Sequence, residues 1–497
     1  MEPKKDYNQL FVGGDLSGIQ KFLYNISSKK AAVSLKGRSF YLRQYMEDVC
    51  KTLKEAVVQA GGTSTRVIYC SGGKFYMLTD HSAAITNAID KCAATIKKEL
   101  WEKHMGQLGI NISYVAFSEN ADGTFNANGL VNQKLGYLWQ VVNAEFAHQK
   151  NQKFKDILQT EYASFFQPIP VGGNTKVCAI TGVESPDCVK IMLDKDDKEE
   201  GYVLPSVREQ IQLGESLRNT QKFKTFEDYA GDTNLGILRM DVDGLGKRFI
   251  NSDFKTFDAY QTFSERLVDF FEKEIENLQK ESAFKDYLNI IYAGGDDLFI
   301  VGRWDKVIDF AERIHQETEK RFEADGISIS GGIAIVNPKF PIAKAAEMAG
   351  EAEAAAKRFN QEGKEKNAFH MFGKTVSWEG EFAYVKSYKE RFVTLIEQYS
   401  LSKSILHKIM LYSSIADLNK VRKQQGKTED FSYIWHISYY LTRYMKRYEN
   451  NRAVKDFCQD LKNKKLTAND GRDLKLIALA ARWAELILKD KLNKKDS

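Results

Sequence analysis

Proline is scarce in this 497-residue chain, with seven in all and none after Pro341. Four of them, Pro168, Pro170, Pro186 and Pro205, crowd into one stretch that also holds Gly172-Gly173. Proline removes a backbone donor and punctuates regular structure, so this stretch reads as a connector between folded units. Cysteine is equally sparse. The six residues Cys50, Cys70, Cys92, Cys178, Cys188 and Cys458 are too scattered for a disulfide framework. Cys178 and Cys188 share one loop, but a structural zinc site needs about four ligands, so zinc is not expected. No run approaches the ~20 apolar residues of a membrane span. The opening Met-Glu-Pro-Lys-Lys-Asp-Tyr lacks the apolar stretch of a secretory signal, so the expected location is cytoplasmic. Only seven histidines occur, and the sole His–Asp adjacency is Asp80-His81.

What is present is apolar residues at 43% of the chain, enough for several cores, and a net charge of +5 that is unevenly spread. Residues 381–497 hold 24 Lys/Arg against 14 Asp/Glu, a net +10, so the rest of the chain is about −5. A solvated helical surface accounts for much of this, and RNA or an acidic neighbour is the other reading. The proline-free tail carries apolar residues at helical spacing, in Phe392–Tyr399, Ile434–Met445 and Leu474–Leu488, which predicts an all-α bundle over 381–497.

The two regions flanking the connector resemble each other. In the first, a strand near Leu10–Gly13 leads into Gly14-Asp15-Leu16-Ser17-Gly18, and Val67–Ser71 is followed by Gly72-Gly73-Lys74-Phe75. In the second, Ile237–Met240 leads into Asp241-Val242-Asp243-Gly244, and Ile290–Ala293 is followed by Gly294-Gly295-Asp296-Asp297. Each continues into a further strand, Ile110–Phe117 and Ile327–Val336. Two copies of one β-α-β-hairpin-α-β unit explain this. The expected fold is α+β: a ferredoxin-like palm domain at 1–155, a connector at 156–230, a second palm at 231–380 and the helical bundle.

The chemistry points to the second copy. A Gly-Gly turn between apolar strands projects Asp296 and Asp297 toward Asp241 at the end of the neighbouring strand. Clustered carboxylates repel unless cations are bound, and oxygen donors suit Mg²⁺ or Mn²⁺. The candidate catalytic residues are Asp241, Asp296 and Asp297, and the candidate metal-holding positions are Asp241, Val242, Asp296 and Asp297, for two ions. Asp243 is a further ligand or a helix cap. Candidate nucleotide-binding positions are Ser17, Gly18, Gly72, Gly73, Gly294, Gly295 and Lys364, with Lys366 beside it. In the first copy Lys74 and Phe75 align with Asp296 and Asp297, so that copy is expected to be non-catalytic and to hold a second nucleotide.

Three segments, Gly14–Gln20, Leu35-Lys36-Gly37-Arg38-Ser39-Phe40-Tyr41-Leu42 and Tyr292–Leu298, resemble the large polymerase/cyclase subunit of type III CRISPR effector complexes, closer to the Csm type than the Cmr type. The resemblance implies ATP as substrate, 3′–5′-linked cyclic oligoadenylate as product, and assembly with CRISPR RNA and other type III subunits, switched on by target RNA. It implies no membrane partner. Many relatives begin with a His-Asp nuclease domain, which is not expected here, and carry a zinc element of which Cys178 and Cys188 look like remnants. Two other readings stand beside it: a non-catalytic, RNA-sensing scaffold, and a stand-alone enzyme of the diguanylate-cyclase kind.

Overall fold

Strand β1, Gln9–Ser17, is apolar on both faces and lies at the centre of a six-stranded sheet. Helix α1, Ile19–Tyr24, and the long α2, Ala31–Gln59, lead to a hairpin of β2, Arg66–Ser71, and β3, Lys74–Asp80. Ser82 accepts a hydrogen bond from the Ile85 amide and starts α3, Ala83–His104. Then come β4, Gly109–Glu119, β5, Phe125–Ala127, β6, Leu130–Gln133, and α4, Leu135–Asn151. The strand order is β2-β3-β1-β4-β5-β6, antiparallel throughout. The computed structural model of the chain describes residues 7–167, 175–194, 198–251, 254–361, 364–464 and 471–493. Pro168, Pro170, Gly172, Gly173 and Gly363 lie outside them.

The connector carries two short helices, α5, Lys155–Thr160, and α6, Tyr162–Phe165, and two small ribbons. One ribbon pairs β7, Lys176–Val177, with β8, Glu184–Ser185; the other pairs β9, Val189–Asp194, with β10, Glu199–Val203. Cys178 is buried beneath them, and the Cys188 thiol points to the Lys176 carbonyl. Pro205 opens α7, Pro205–Gln221, where its missing N–H costs nothing. A Thr225/Asp228 capping box starts α8, Phe226–Ala230.

The second half repeats the first. Its elements are β11, Leu235–Val242; α9, Leu245–Asn251; α10, Phe257–Asp269; a π-turn at Phe270–Glu274; and α11, Ile275–Gln279. They continue with β12, Leu288–Gly294; β13, Asp297–Arg303; α12, Trp304–Phe322; β14, Ile329–Val336; and α13, Ile342–Lys357. A small ribbon of β15, Asn360–Gln361, and β16, Lys364–Glu365, precedes β17, Ala368–Met371, and β18, Lys374–Ser377. The sheet order is β12-β13-β11-β14-β17-β18.

Registers refine the internal repeat. Asp15 pairs with Lys74, and Asp241 pairs with Asp297. Ser71 faces Lys74 across one turn, and Gly294 faces Asp297 across the other. Each loop therefore holds two residues, Gly72-Gly73 and Gly295-Asp296. The alignment expected from the glycine pairs is off by one: Gly73 and Lys74, not Lys74 and Phe75, occupy the places of Asp296 and Asp297. Matching Gly-Gly to Gly-Gly misleads because only the first turn needs positive φ twice, at Gly72 (59°) and Gly73 (78°); the second needs it at Gly295 alone (69°).

The halves touch through short helices. Tyr24 at the end of α1 packs at a tilt against Phe299 of the second sheet, ring centroids 4.8 Å apart. Reciprocally, α9 lies on α4, where a Cβ on Gly136 would meet the Ile250 carbonyl at 1.9 Å. The tail forms the predicted helices: α14, Ala383–Tyr399; α15, Ser404–Gln424; α16, Ser432–Arg447; α17, Arg452–Lys464; and α18, Arg472–Asn493. They share one apolar core with the second sheet, through Trp378, Phe382 and Trp483. The indole of Trp304 donates to Asp490 at 2.7 Å, and Arg472 forks onto Glu381.

Candidate functional site

β11 and β13 pair residue for residue, so Asp241 at the end of one lies directly opposite Asp297 at the start of the other. Directly opposed residues share a face. That face is covered by α13, whose buried stripe is almost all alanine: Ala345, Ala346, Ala349, Ala352 and Ala356. Small residues let the helix sit close; at Gly332 of β14 a Cβ would meet the backbone of Ala352 at 2.3 Å. One acid interrupts the stripe, Glu353, and carboxylate oxygens of Asp241, Asp297 and Glu353 all lie within 4.8 Å of one another. One turn on, the Lys357 ammonium is ion-paired to Asp241 and lies 3.8 Å from Glu353. Arg239, two residues before Asp241 and on the same face, holds Glu353 at 3.1 Å.

The expected acidic triad is therefore rearranged. Asp241 and Asp297 meet, and Glu353 joins them. Asp296 stays in the turn outside that group, its carbonyl accepting from the Val242 amide at 3.1 Å. The side chain of Val242 is buried in the core on the opposite face, so only its main chain is near the cluster. Glu353 and Lys357 were missed in the sequence, where their i,i+4 spacing resembles an ordinary surface pair. The available signal was that Glu353 falls on the stripe that must face the sheet.

The electrostatics fit a cation site. Burial, then the Asp297 charge, push Asp296 up to about 6, with Lys74 of the first half drawing it back. Burial also raises Asp297, against the pull of Arg239 and Lys74. Glu353 is pushed up to about 7 by burial, Arg239 opposing. Burial lowers the Lys357 ammonium to about 8, with Lys366 and Arg239 adding to the effect. Asp243 neither caps a helix nor joins the cluster directly. Its Oδ2 accepts from Ser328 and Ser330 hydroxyls at 2.8 and 2.9 Å and from the Asn367 amide at 3.1 Å, while Oδ1 is buried without a partner. Lys366 lies over the same loop, its Nζ 3.8 Å from where a Cβ on Gly244 would sit. Lys364 falls in β16, its side chain outside the described residues.

The turn bearing these acids is packed against the other half rather than exposed as a free tip. Gly72 and Gly295, equivalent by register, meet across the two halves; a Cβ on either would stand 2.8 Å from the other's Cα. The Gly295 amide donates to the Ser71 hydroxyl at 3.0 Å, which donates in turn to Glu272 at 3.0 Å. Gly294 ends β12 beside this contact, and Gly73 packs on Ile19. Ser17 and Gly18 do not form an open loop. Ser17 ends β1 and donates to the Gly109 carbonyl at 3.0 Å, and a Cβ on Gly18 would strike the Gln107 carbonyl at 2.3 Å.

Residues 8–168 match the family described as Csm1 subunit domain B, and residues 234–370 match the second palm domain of Cas10/Cmr2. The chain is 26% identical to a single-strand-specific deoxyribonuclease Cas10/Csm1 of subtype III-A from Enterococcus italicus, over 81% of its own length and 59% of the relative's. The counterpart from Methanocaldococcus jannaschii is also 26% identical, over 76% and 62%. The chain thus spans about three fifths of the length of these curated relatives. A Csm1–Csm4 cassette solved with pppApA superposes with a TM-score of 0.66 at 17% identity, covering 97% of this chain and 70% of that one. The same cassette solved with cA4 gives 0.62 at 18%, covering 96% and 71%.

Proposed function

We propose that the chain, which is similar to the subtype III-A Cas10/Csm1 proteins, synthesises cyclic oligoadenylates from ATP by 3′–5′ nucleotidyl transfer, as a subunit of a cytoplasmic CRISPR RNA-guided complex that target RNA switches on. The observation that carries this reading is the convergence of Asp241, Asp297 and Glu353, with Asp296 in the adjoining turn, on a face ringed by Lys357, Lys366 and Lys74. Relatives of this kind have been solved with ATP, with pppApA and with cA4.

The two halves are read as tandem ferredoxin-like palms, since each has the order 2-3-1-4 at its core. The donor set is all oxygen, which fits Mg²⁺ or Mn²⁺, and Lys357 neutralises Asp241 as a cation would. Asp241, Asp297, Asp296 and Glu353 would hold the ions, with the Val242 main chain adjacent. When bound, such ions activate a hydroxyl and neutralise departing pyrophosphate. The chain's own part is to hold these acids rigidly on paired strands and to offer lysines to phosphate. Lys357 exchanges its partner from Asp241 to phosphate, and Lys366, just after the ribbon strand that begins at Lys364, stands on the other side. The first palm, with Ser17, Gly18, Gly72 and Gly73, is read as the seat of a second ATP. The test is mass spectrometry of ATP products made by the assembled complex with and without target RNA; absence of any RNA-dependent oligoadenylate overturns the reading.

A further inference from the structure

The segment Leu35–Leu42 was singled out in the sequence, yet none of its residues lies in the acidic cluster. It forms the N-terminal part of α2, which runs beside β12 of the other half. β12 is an edge strand, paired among the described strands with β13 alone, so its outer carbonyls need partners from elsewhere. α2 supplies two. Lys36 Nζ donates to the Ile290 carbonyl at 2.6 Å, and Arg43 Nη2 donates to the Ala293 carbonyl at 3.2 Å. Seven helical residues rise ~10.5 Å and three strand residues span ~10 Å, so helix and strand are matched in pitch over this interval. Between the two anchored carbonyls lies the bulge that shifts the β12–β13 register at Ile290/Tyr292, and the next residues are the turn itself.

α2 is in turn clamped on its far side. A Cβ on Gly37 would meet the Gln210 carbonyl at 1.9 Å, and one on Gly214 would meet the Val33 carbonyl at 2.1 Å, so α2 and α7 touch backbone to backbone. Arg38, almost fully buried, donates to the Gln210 side chain and to the Phe22 and Asn25 carbonyls at the end of α1. The strand entering the acidic turn is therefore tied by two cations to a helix that cannot shift alone.

We propose that Lys36 and Arg43 are positioning residues for nucleotidyl transfer: by holding the Ile290 and Ala293 carbonyls of edge strand β12, they fix the Gly295-Asp296-Asp297 turn relative to Asp241. The connector helix α7, through Gly37 and Arg38, sets where that tie stands. Burial lowers the Lys36 ammonium to about 8, with Glu276 opposing, so the group sits where only a specific partner repays its desolvation. This inference rests on the reading of that turn as catalytic.

Lys36→Met and Arg43→Met, separately and together, test it in the assembled, target-activated complex. A turn displaced by a fraction of an ångström lowers kcat about tenfold or more, while the KM for ATP stays within about twofold and the Mg²⁺ concentration for half activity rises. Hydrogen exchange in peptides spanning 288–300 speeds up, with α7 unchanged, and Lys36→Arg restores both readouts. Wild-type kcat and unchanged exchange in the double variant overturn the inference while leaving the proposed activity intact. An inert wild-type complex overturns the activity, yet the exchange measurement still decides the tie. Should Lys36→Met not fold, Arg43→Met on its half-exposed side chain carries the same test.

Discussion

The two halves of the molecule share a scaffold and differ in what fills one pocket. Both carry an aspartate near the end of their central strand, Asp15 and Asp241, and both hold it with a lysine from the covering helix, Lys150 at 2.6 Å in one and Lys357 in the other. Four residues before that lysine the second half has Glu353, paired to Arg239. The first half has Phe146 there, and Gly13 stands where Arg239 does, so close that a Cβ would meet the ring at 2.9 Å. Across the turn, Lys74 replaces Asp297 and Gly73 replaces Asp296. The first half has exchanged acids for a ring and a cation, and its Lys74 acts on the carboxylates of the other half. An acidic cluster is thus made or erased by about four side chains without altering strand order.

The largest effect should come from removing what the first half lacks. Asp296→Ala with Asp297→Ala abolishes oligoadenylate synthesis, by ~10³-fold or more, while Lys74→Ala in the opposing turn lowers it far less. Near-normal turnover by the double variant sinks the assignment. Next comes the contact between equivalent glycines. Gly72→Val, at φ 59° and against the Gly295 backbone, should destabilise the fold by roughly 1–3 kcal/mol and disturb synthesis from the non-catalytic side. Unchanged melting would mean the turns do not bear on each other. Glu353→Gln should raise the Mg²⁺ requirement and cut the rate roughly 10-fold, whereas Phe146→Leu at the matching place should leave the Mg²⁺ requirement alone. Equal responses from the two would erase the distinction drawn between the halves.

The smallest effect is on stability. Asp296 has a folded pKa of about 6 against an ordinary 3.8, and Glu353 about 7 against 4.5, so folding favours their protonated forms. Between those ordinary values and the folded ones the native state binds more protons, so metal-free stability falls as pH rises from about 4 to 7. Mg²⁺ binds the ionised form and should raise the melting temperature more at pH 7.5 than at pH 5. A Mg²⁺ shift that is equal at both pH values would detach these acids from metal. Phe146→Leu, at the place that matches Glu353, should leave that pH dependence as it was.

Much of this was legible beforehand. The β-α-β-hairpin repeat, the connector and the tail helices follow from apolar periodicity and from where glycine and proline fall, which are local properties. Asp241 and Asp297 could be placed together because each sits at a strand end beside a recognisable turn. Glu353 and Lys357 could not, because a helix that covers a sheet brings residues together by packing, and an i,i+4 acid–base pair looks the same whether it faces water or a metal site. The one-residue offset between the turns was hidden for a similar reason: loop length is set by hydrogen-bond register, not by which residues are glycine.

The elements, the duplication and the place of the acidic turn can be read along the chain, because propensity and patterning act within about a dozen neighbouring residues. Long-range packing alone brings α9 onto α4, rests Gly72 on Gly295, and lets Lys36 and Arg43 reach an edge strand some 250 positions away. Such contacts are fixed by close packing and by the need of every buried carbonyl for a donor. Those demands are met between surfaces, and no local window of sequence contains both sides.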